Sequence, residues 1–373
     1  MIRWWVDGER TPRLEALMGE PERVLEGPGS LARESAGRKR FYRVDGGGAE
    51  PALYVKVFTL PPAARWRYFL RRSKARRERA LAHAIERRGF AVARPVAVGE
   101  RRRHGALERS WLVTRDEGAR DLRSLLESAR ENGAERRALL ERFARFARRL
   151  HDAGVDQDDF SPNNFLVRAD GAFVLIDFER ARLRRGPLRA RAWTQLAKLN
   201  RRDFGISRSD RLRFLRAYLG TSGAAGRAER RTAWRKIWPE FQRVRARDAR
   251  RAAAAAFEEG RNLAREGEAW VVRARAGAKT IRLELGPDVA RLCWVRAHQL
   301  ERLGLPALRP VKLEGGTVEL LDPGTAKPRS PADLLIGRAL LALAPWGRFN
   351  APPQWRFTPH GVLLANPQAF EPN

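Results

Sequence analysis

Between His151 and Glu179 the chain concentrates carboxylates and amides at a telling spacing. The run His151-Asp152-Ala153-Gly154-Val155-Asp156-Gln157-Asp158-Asp159-Phe160-Ser161-Pro162-Asn163-Asn164-Phe165-Leu166 is followed by Leu175-Ile176-Asp177-Phe178-Glu179. Moving a phosphoryl group onto a hydroxyl needs a carboxylate that takes or orients the hydroxyl proton, and oxygen ligands that hold Mg²⁺ on the phosphates. Asp159 and Asn164, five residues apart, offer the first carboxylate and an amide on one loop, and Asp177 follows 13 residues after Asn164, across a short strand pair. Asp158 and Asn163 have the same gap. Asn164 directly precedes the apolar Phe165-Leu166-Val167 run, where a metal-binding Asn belongs, so the later register is preferred.

Upstream, Lys56 lies inside the apolar strand Leu53-Tyr54-Val55-Lys56-Val57-Phe58, where an unpaired ammonium is costly to bury. It reads as a phosphate-binding lysine paired with Glu78, 22 residues on. Gly27 and Gly29 are the best candidates for a phosphate-covering turn, although no G-x-G-x-x-G is present. Thr114, at the end of the strand-like run from Ser110, joins the nucleotide-binding set. His151 stands alone at a helix end and reads as structural, and the other histidines lack metal-ligand spacing.

Residues 20–60 read as short strands, with Arg40 to Val44 and Leu53 to Phe58 flanking the hairpin turn Asp45-Gly46-Gly47-Gly48. A helix is expected from about Ser73 to Arg88, then strands over Ala91 to Val98 and Ser110 to Thr114. Leu139, Leu140, Phe143, Phe146 and Leu150 recur at helical spacing over 135–150. Two strand-like runs flank Gly171, and residues 191–265 read as almost entirely helical. This order, strands with one helix and then a helical part with a small strand pair, is α+β and predicts a bilobal protein-kinase-like fold.

At 373 residues, two domains are expected. No stretch approaches the roughly 18 apolar residues of a membrane span, and the N-terminus lacks a signal-peptide core, so a cytoplasmic location is expected. One cysteine, Cys293, excludes an internal disulfide and a multi-cysteine zinc site. The net charge of +31 points to a polyanionic partner, whether nucleic acid, an anionic membrane surface or a phosphorylated glycolipid. Arg outnumbers Lys 67 to 8, which favours forked phosphate recognition.

The run His-x-x-Gly-Val, then Asp, Asn-Phe-Leu and Ile-Asp-Phe-Glu-Arg resembles the Kdo/heptose lipopolysaccharide kinase family. Gln195 to Arg201 and Ser207 to Leu219 are similar to that family's helical lobe, and the match covers about residues 20–250. The resemblance implies an ATP- and Mg²⁺-dependent enzyme phosphorylating a heptose or Kdo hydroxyl of a lipid A-linked lipopolysaccharide core, peripheral to the anionic inner-membrane surface. Asp159, Lys56 and Glu78 would be catalytic, Lys56, Gly27, Gly29 and Thr114 would bind nucleotide, and Asn164 and Asp177 would hold metal. Gln157 departs from the family, which usually has His two positions before the catalytic Asp. Glu179 stands where protein kinases have Gly.

A shift of 215 residues aligns Ala82-His83, Glu86-Arg87, Gly89 and Arg94-Pro95-Val96 with Ala297-His298, Glu301-Arg302, Gly304 and Arg309-Pro310-Val311, eight identities in 15 positions. Residues 246–373 are therefore expected to be a degenerate, truncated kinase-like repeat after a catalytic domain at 1–245. There Ile281 to Leu283 replaces the Lys56 strand, Cys293 falls at Glu78, and Asn366 echoes Asp177. Three other functions remain open: a kinase of another small-molecule or protein hydroxyl, a pseudokinase scaffold, and a nucleic-acid binder. The last rests on charge alone and is disfavoured.

Overall fold

In a computed structural model the described residues are 2–27, 31–35, 39–46, 50–129, 132–199, 207–259, 263–303, 305, 307–322, 347–349, 353–358 and 361–372. The chain divides into two units, one built from Met1–Leu199 and Phe204–Ile237, the other mainly from Trp238–Asn373. Gly29 lies outside the described residues.

The first unit opens with β1 (Ile2–Val6), α1 (Pro12–Gly19), α2 (Pro21–Glu26), β2 (Leu31–Ser35), β3 (Lys39–Val44), β4 (Leu53–Thr59), α3 (Pro62–Arg65), α4 (Lys74–Glu86), β5 (Pro95–Arg103) and β6 (Ala106–Arg115). The six strands form one antiparallel sheet in the order β1-β5-β6-β4-β3-β2. Register decides what each face does. Val55 pairs with Val113 and Tyr42, and with Leu53, Val57, Trp111 and Ala97 these side chains make one apolar face. Leu14, Leu17 and Leu25 of α1 and α2 cover it. The alternate residues, Lys56 and Phe58 of β4 with Phe41 and Leu112 opposite, make the other face. Gly99 is required by close approach: an added Cβ would meet the Trp4 ring at 2.7 Å.

The expected strands over 20–60 need correction at their start. Pro21 occupies the first turn of a helix with Glu22 beside it, and Val24 and Leu25 turn to the sheet, so 21–26 is α2. The two strands expected over 91–98 and 110–114 extend outward into a hairpin reaching Arg103 and Ala106.

The rest of the unit is mostly helical: β7 (Arg120–Asp121), α5 (Leu122–Ser128), α6 (Gly133–Asp152), β8 (Val155–Gln157), β9 (Phe165–Val167), β10 (Phe173–Leu175), β11 (Ala181–Leu183), α7 (Ala190–Leu199), α8 (Arg208–Leu219) and α9 (Gly223–Ala254), which carries the boundary between the units. α6 buries Leu139, Leu140, Phe143, Phe146 and Leu150. The Phe143 ring lies 4.9 Å from Phe165 and 5.5 Å from Phe173, so an aromatic cluster fixes the β9–β10 hairpin to the helix.

His151 is structural, at the end of α6. Its Nε2 lies 3.0 Å from Gln195 Oε1 and its Nδ1 2.8 Å from the Tyr218 hydroxyl. Gln195 donates its amide to buried Asp156 at 2.7 Å, which leaves its oxygen for the histidine and places the ring proton on Nε2. This chain ties α6, β8, α7 and α8 together.

The second unit contains β12 (Leu263–Glu266), β13 (Ala269–Val272), β14 (Thr280–Glu284), α10 (Pro287–Leu303), β15 (Pro310–Glu314) and β16 (Thr317–Leu321), then β17 (Gly347–Phe349), β18 (Trp355–Thr358), β19 (Gly361–Leu364) and β20 (Phe370–Pro372). The helical expectation to residue 265 thus ends early, because Leu263 and Ala264 are buried in a β hairpin with β13. The antiparallel order β15-β16-β14, with α10 following β14, repeats β5-β6-β4 with α4 following β4. Val92 bridges Leu175 in parallel, and Ala307 bridges Leu364. The Ala93 and Leu308 N–H groups donate to Leu175 and Leu364 carbonyls, both at 2.9 Å. Ile176 N–H donates to the Asn164 carbonyl at 3.1 Å, and Ala365 N–H to the Gln354 carbonyl at 2.8 Å. The hairpins differ in placement: β2–β3 adds beyond β4, whereas β12–β13 adds beyond β15.

Burial pushes both His151 and His298 down to about 4 from their ordinary 6.5. Between those values the unfolded chain binds protons that the folded chain does not, so stability is full above about pH 6.5 and is lost as pH falls toward 4. Urea denaturation across this range should show that slope, and His151→Asn should flatten it for the first unit. A pH-independent midpoint would contradict this.

Candidate active site

Three residues from distant parts of the chain meet on the polar face of the first sheet. The Lys56 ammonium donates to Glu78 Oε1 at 2.7 Å, to Glu78 Oε2 at 3.0 Å and to Asp177 Oδ1 at 2.7 Å. Lys56 is 6% exposed and Glu78 3%. A charge buried so deeply persists only when paired and hydrogen-bonded. Burial alone would discharge Lys56, but Glu78 and Asp177 outweigh it and hold the ammonium above the usual lysine range. Burial likewise pushes the Glu78 carboxyl up, against the pull of Lys56.

The helix that presents Glu78 is anchored at several points. Ser73 caps α4 by accepting from the Arg76 N–H at 3.1 Å, and its own N–H donates to buried Glu100 at 3.2 Å. Arg79 and His83 of α4 both reach Asp7, just beyond β1. From the opposite side, the Phe178 N–H donates to Glu78 Oε1 at 3.0 Å.

Asp177 is one of three non-glycine residues with positive φ among the described residues, at +58°. Such a conformation costs of order 1–3 kcal/mol and persists where neighbours enforce it. Here the enforcing groups are Lys56 on the side chain and Gln157, whose amide donates to the Asp177 carbonyl at 2.9 Å. Gln157 is 1% exposed, and among the described residues its Oε1 has no hydrogen-bond partner. Burial opposes ionisation of Asp177, yet Lys56 and Lys39 hold its carboxyl below the ordinary carboxylate range.

The loop carrying the two candidate bases distinguishes them. The Asp158 carboxylate is half-buried and occupied, accepting from Lys198 at 2.6 Å, and that pairing overcomes burial to lower its pKa. Asp159 is exposed, and its backbone carbonyl accepts from the Asn164 amide at 2.7 Å. With its nitrogen so committed, Asn164 keeps its side-chain oxygen for another partner. The geometry therefore separates the later register, Asp159 with Asn164, from the earlier one.

Thr114 lies on the same sheet face as Lys56, opposite Tyr54, with its hydroxyl 3.4 Å from the Tyr54 carbonyl. Gly27 is not brought to this cluster. It ends α2, whose Leu25 packs on the opposite face of the sheet.

Two lysines that motif reading did not single out join this cluster. Lys39 contacts Glu179 at 2.9 Å and Asp177 at 3.6 Å, and Lys74 contacts the other Glu179 oxygen at 2.7 Å. Burial resists, but the two ammonium groups hold Glu179 down at about 2. With Lys198, four of the eight lysines in the chain surround this loop system. Lysine scarcity in an arginine-rich chain was the available signal.

A carboxylate-held lysine, a hairpin-end aspartate and a loop Asp/Asn pair are the residue types that kinase-type phosphoryl transfer requires. The model of the lipopolysaccharide kinase (Kdo/WaaP) family matches residues 28–218, and the chain belongs to that family. It is 30% identical over 231 residues to the lipopolysaccharide core heptose(I) kinase WaaP of Pseudomonas aeruginosa, covering 58% of this chain and 82% of that relative. A solved structure of WaaP in complex with acyl carrier protein is 27% identical, covering 66% of this chain and 97% of that one, with a TM-score of 0.44. The chain is a phosphotransferase with an alcohol group as acceptor.

If Lys56 and Glu78 act as a pair, Lys56→Met should leave Glu78 buried without its countercharge and cost about 3–5 kcal/mol of stability. The Lys56→Met/Glu78→Gln double variant should cost far less than the two single losses combined, by thermal denaturation. Additive losses would show that the groups do not interact.

Proposed function

We propose that this protein transfers the γ-phosphoryl group of ATP to a heptose or Kdo hydroxyl of the lipopolysaccharide inner core, using the Lys56–Glu78–Asp177 cluster. The supporting observation is that Lys56 bridges Glu78 and Asp177 within 3.0 Å while exposed Asp159 remains beside Asn164 on the adjoining loop. Lys56 and Lys39 would face the phosphates, with Glu78 fixing Lys56. Thr114 would line the nucleotide position farther along the same face.

The donor set suits Mg²⁺, which takes oxygen ligands and is commonly held by one or two protein groups plus substrate phosphates. The Asp177 carboxylate and the free Asn164 side-chain oxygen would hold it, and among the described residues no cluster of three or more His, Cys, Asp or Glu competes. When bound, the ion would neutralise charge on the phosphates. Asp159 would orient the acceptor hydroxyl and take its proton as the sugar oxygen bonds to phosphorus and ADP departs. Gln157 would do the positioning usually given to histidine, since a neutral amide suffices to hold the Asp177 carbonyl.

The same reading takes the first unit as a bilobal kinase fold and the second as its truncated copy. Its support is the repeated strand order, the matched positions at a shift of 215 residues, and a parallel bridge in each unit, Val92 to Leu175 and Ala307 to Leu364. In the copy, Cys293 stands at Glu78, Gln354 at Asn164 and Asn366 at Asp177. The first and last of these replace a carboxylate with a thiol and an amide, so the described residues of the second unit would lack that part of the site. No helix among the described residues is long and apolar enough to cross a membrane. The enzyme would meet its lipid-anchored acceptor from the cytoplasmic side as a peripheral protein.

The test is phosphate transfer to purified core glycolipids of defined phosphorylation, read by mass spectrometry. Asp159→Asn should lower transfer by about 10²–10⁴-fold with ATP binding retained. Asp177→Asn and Asn164→Ala should each raise the Mg²⁺ concentration needed for half-maximal rate. Full activity of Asp159→Asn would remove it as base, and unchanged Mg²⁺ dependence in both other variants would remove the metal assignment.

A further inference from the structure

The segment between β4 and α4 presents a surface that the reaction does not use. Trp66 is 63% exposed, Phe69 50% and Leu70 92%, three of the largest exposed apolar side chains among the described residues, all within five positions. Trp66 and Phe69 stack at 6.1 Å, so the rings form one plateau. Exposed contiguous apolar groups of this size mark interaction sites. The plateau is rigidly mounted. The Arg102 guanidinium donates to the Tyr68 carbonyl at 2.7 Å, the Gly105 carbonyl at 3.1 Å and the Arg71 carbonyl at 3.2 Å, while Glu100 holds Arg102 at 2.9 Å. The Phe69 ring lies over Gly105 at the tip of the β5–β6 hairpin.

The charges around the plateau have one sign. From Leu60 to Arg77 the sequence holds no acidic residue. The nearby carboxylates are already matched, Glu108 by Arg65 and Glu100 by Arg102. Arg67, Arg71, Arg72 and Arg103 are exposed, and among the described residues no carboxylate pairs with them. Large rings ringed by unmatched arginines suit an interface that is apolar a few ångströms down and anionic at its surface.

We infer that Trp66, Phe69 and Leu70 insert into an anionic lipid bilayer, with Arg67, Arg71, Arg72 and Arg103 on its headgroups. The segment runs directly into Ser73 and Lys74, whose ammonium holds Glu179, so docking seats the membrane against the end of α4 that borders the active site. The inference goes beyond the proposed reaction and is tested without it.

Cosedimentation of the full chain with phosphatidylglycerol-containing vesicles, without nucleotide or acceptor, reads the interaction. Wild type should bind these and not pure phosphatidylcholine vesicles, and binding should weaken as salt is raised. A Trp66→Ser/Phe69→Ser/Leu70→Ser variant should lose binding at least about tenfold with its melting temperature kept, because these side chains are already in solvent. Arg67→Glu/Arg71→Glu/Arg72→Glu, which leaves the rings intact, should lose about fivefold or more per arginine. Wild-type sedimentation of either variant overturns the inference. So does binding that ignores lipid charge, or a wild type that binds an acidic protein or nucleic acid but no vesicle. A lowered melting temperature in the apolar variant, with vesicle binding kept in the arginine variant, would assign the rings to the core instead.

Discussion

A single buried ammonium organises this cluster of charged side chains. Lys56 cannot lie beneath the sheet surface as an ammonium unless carboxylates meet it, and those carboxylates come from a helix and from a hairpin end far along the chain. Satisfying that one charge therefore sets the position of α4 against β4 and the position of Asp177 against both. The Phe178 N–H to Glu78 bond and the Gln157 bond to the Asp177 carbonyl close the arrangement from the other side. The positive φ of Asp177 is tolerable because both its side chain and its carbonyl are held.

Much of this was readable from residue types. Lys56 stood out as a charge inside an apolar strand, and Asp159, Asn164 and Asp177 stood out by spacing. The contacts of Lys39 and Lys74 with Glu179 were not readable, because 140 and 105 residues separate the partners and no local pattern marks such pairs. Gly27 was not readable as the end of α2, because the glycine density of this stretch carries no helical period. In the sequence α2 reads as strand because six residues are too few to establish a helical period. β1 carries a usable signal, since Ile2, Trp4 and Val6 alternate toward the core.

The lysines show why composition and geometry must be read together. Arginine dominates the cationic surface, whereas the cluster at Asp177 and Glu179 is built from lysine. A compact ammonium can donate to two carboxylates from one point, and a planar guanidinium cannot enter the same space without moving them. The second unit illustrates the converse. Cys293 of α10 is buried among apolar side chains, and burial pushes its thiol up to about 12.

The most direct test of the account is the protonation of Lys56 in the free enzyme, observed by lysine-selective ¹⁵N NMR. With only eight lysines, the side-chain signals can be assigned by single substitutions. The Lys56 ammonium signal should remain protonated above the ordinary lysine pKa of about 10.4, and it should move when ATP is added. A Lys56 signal that deprotonates as an ordinary lysine does and ignores ATP would contradict the buried charge cluster on which the site is built.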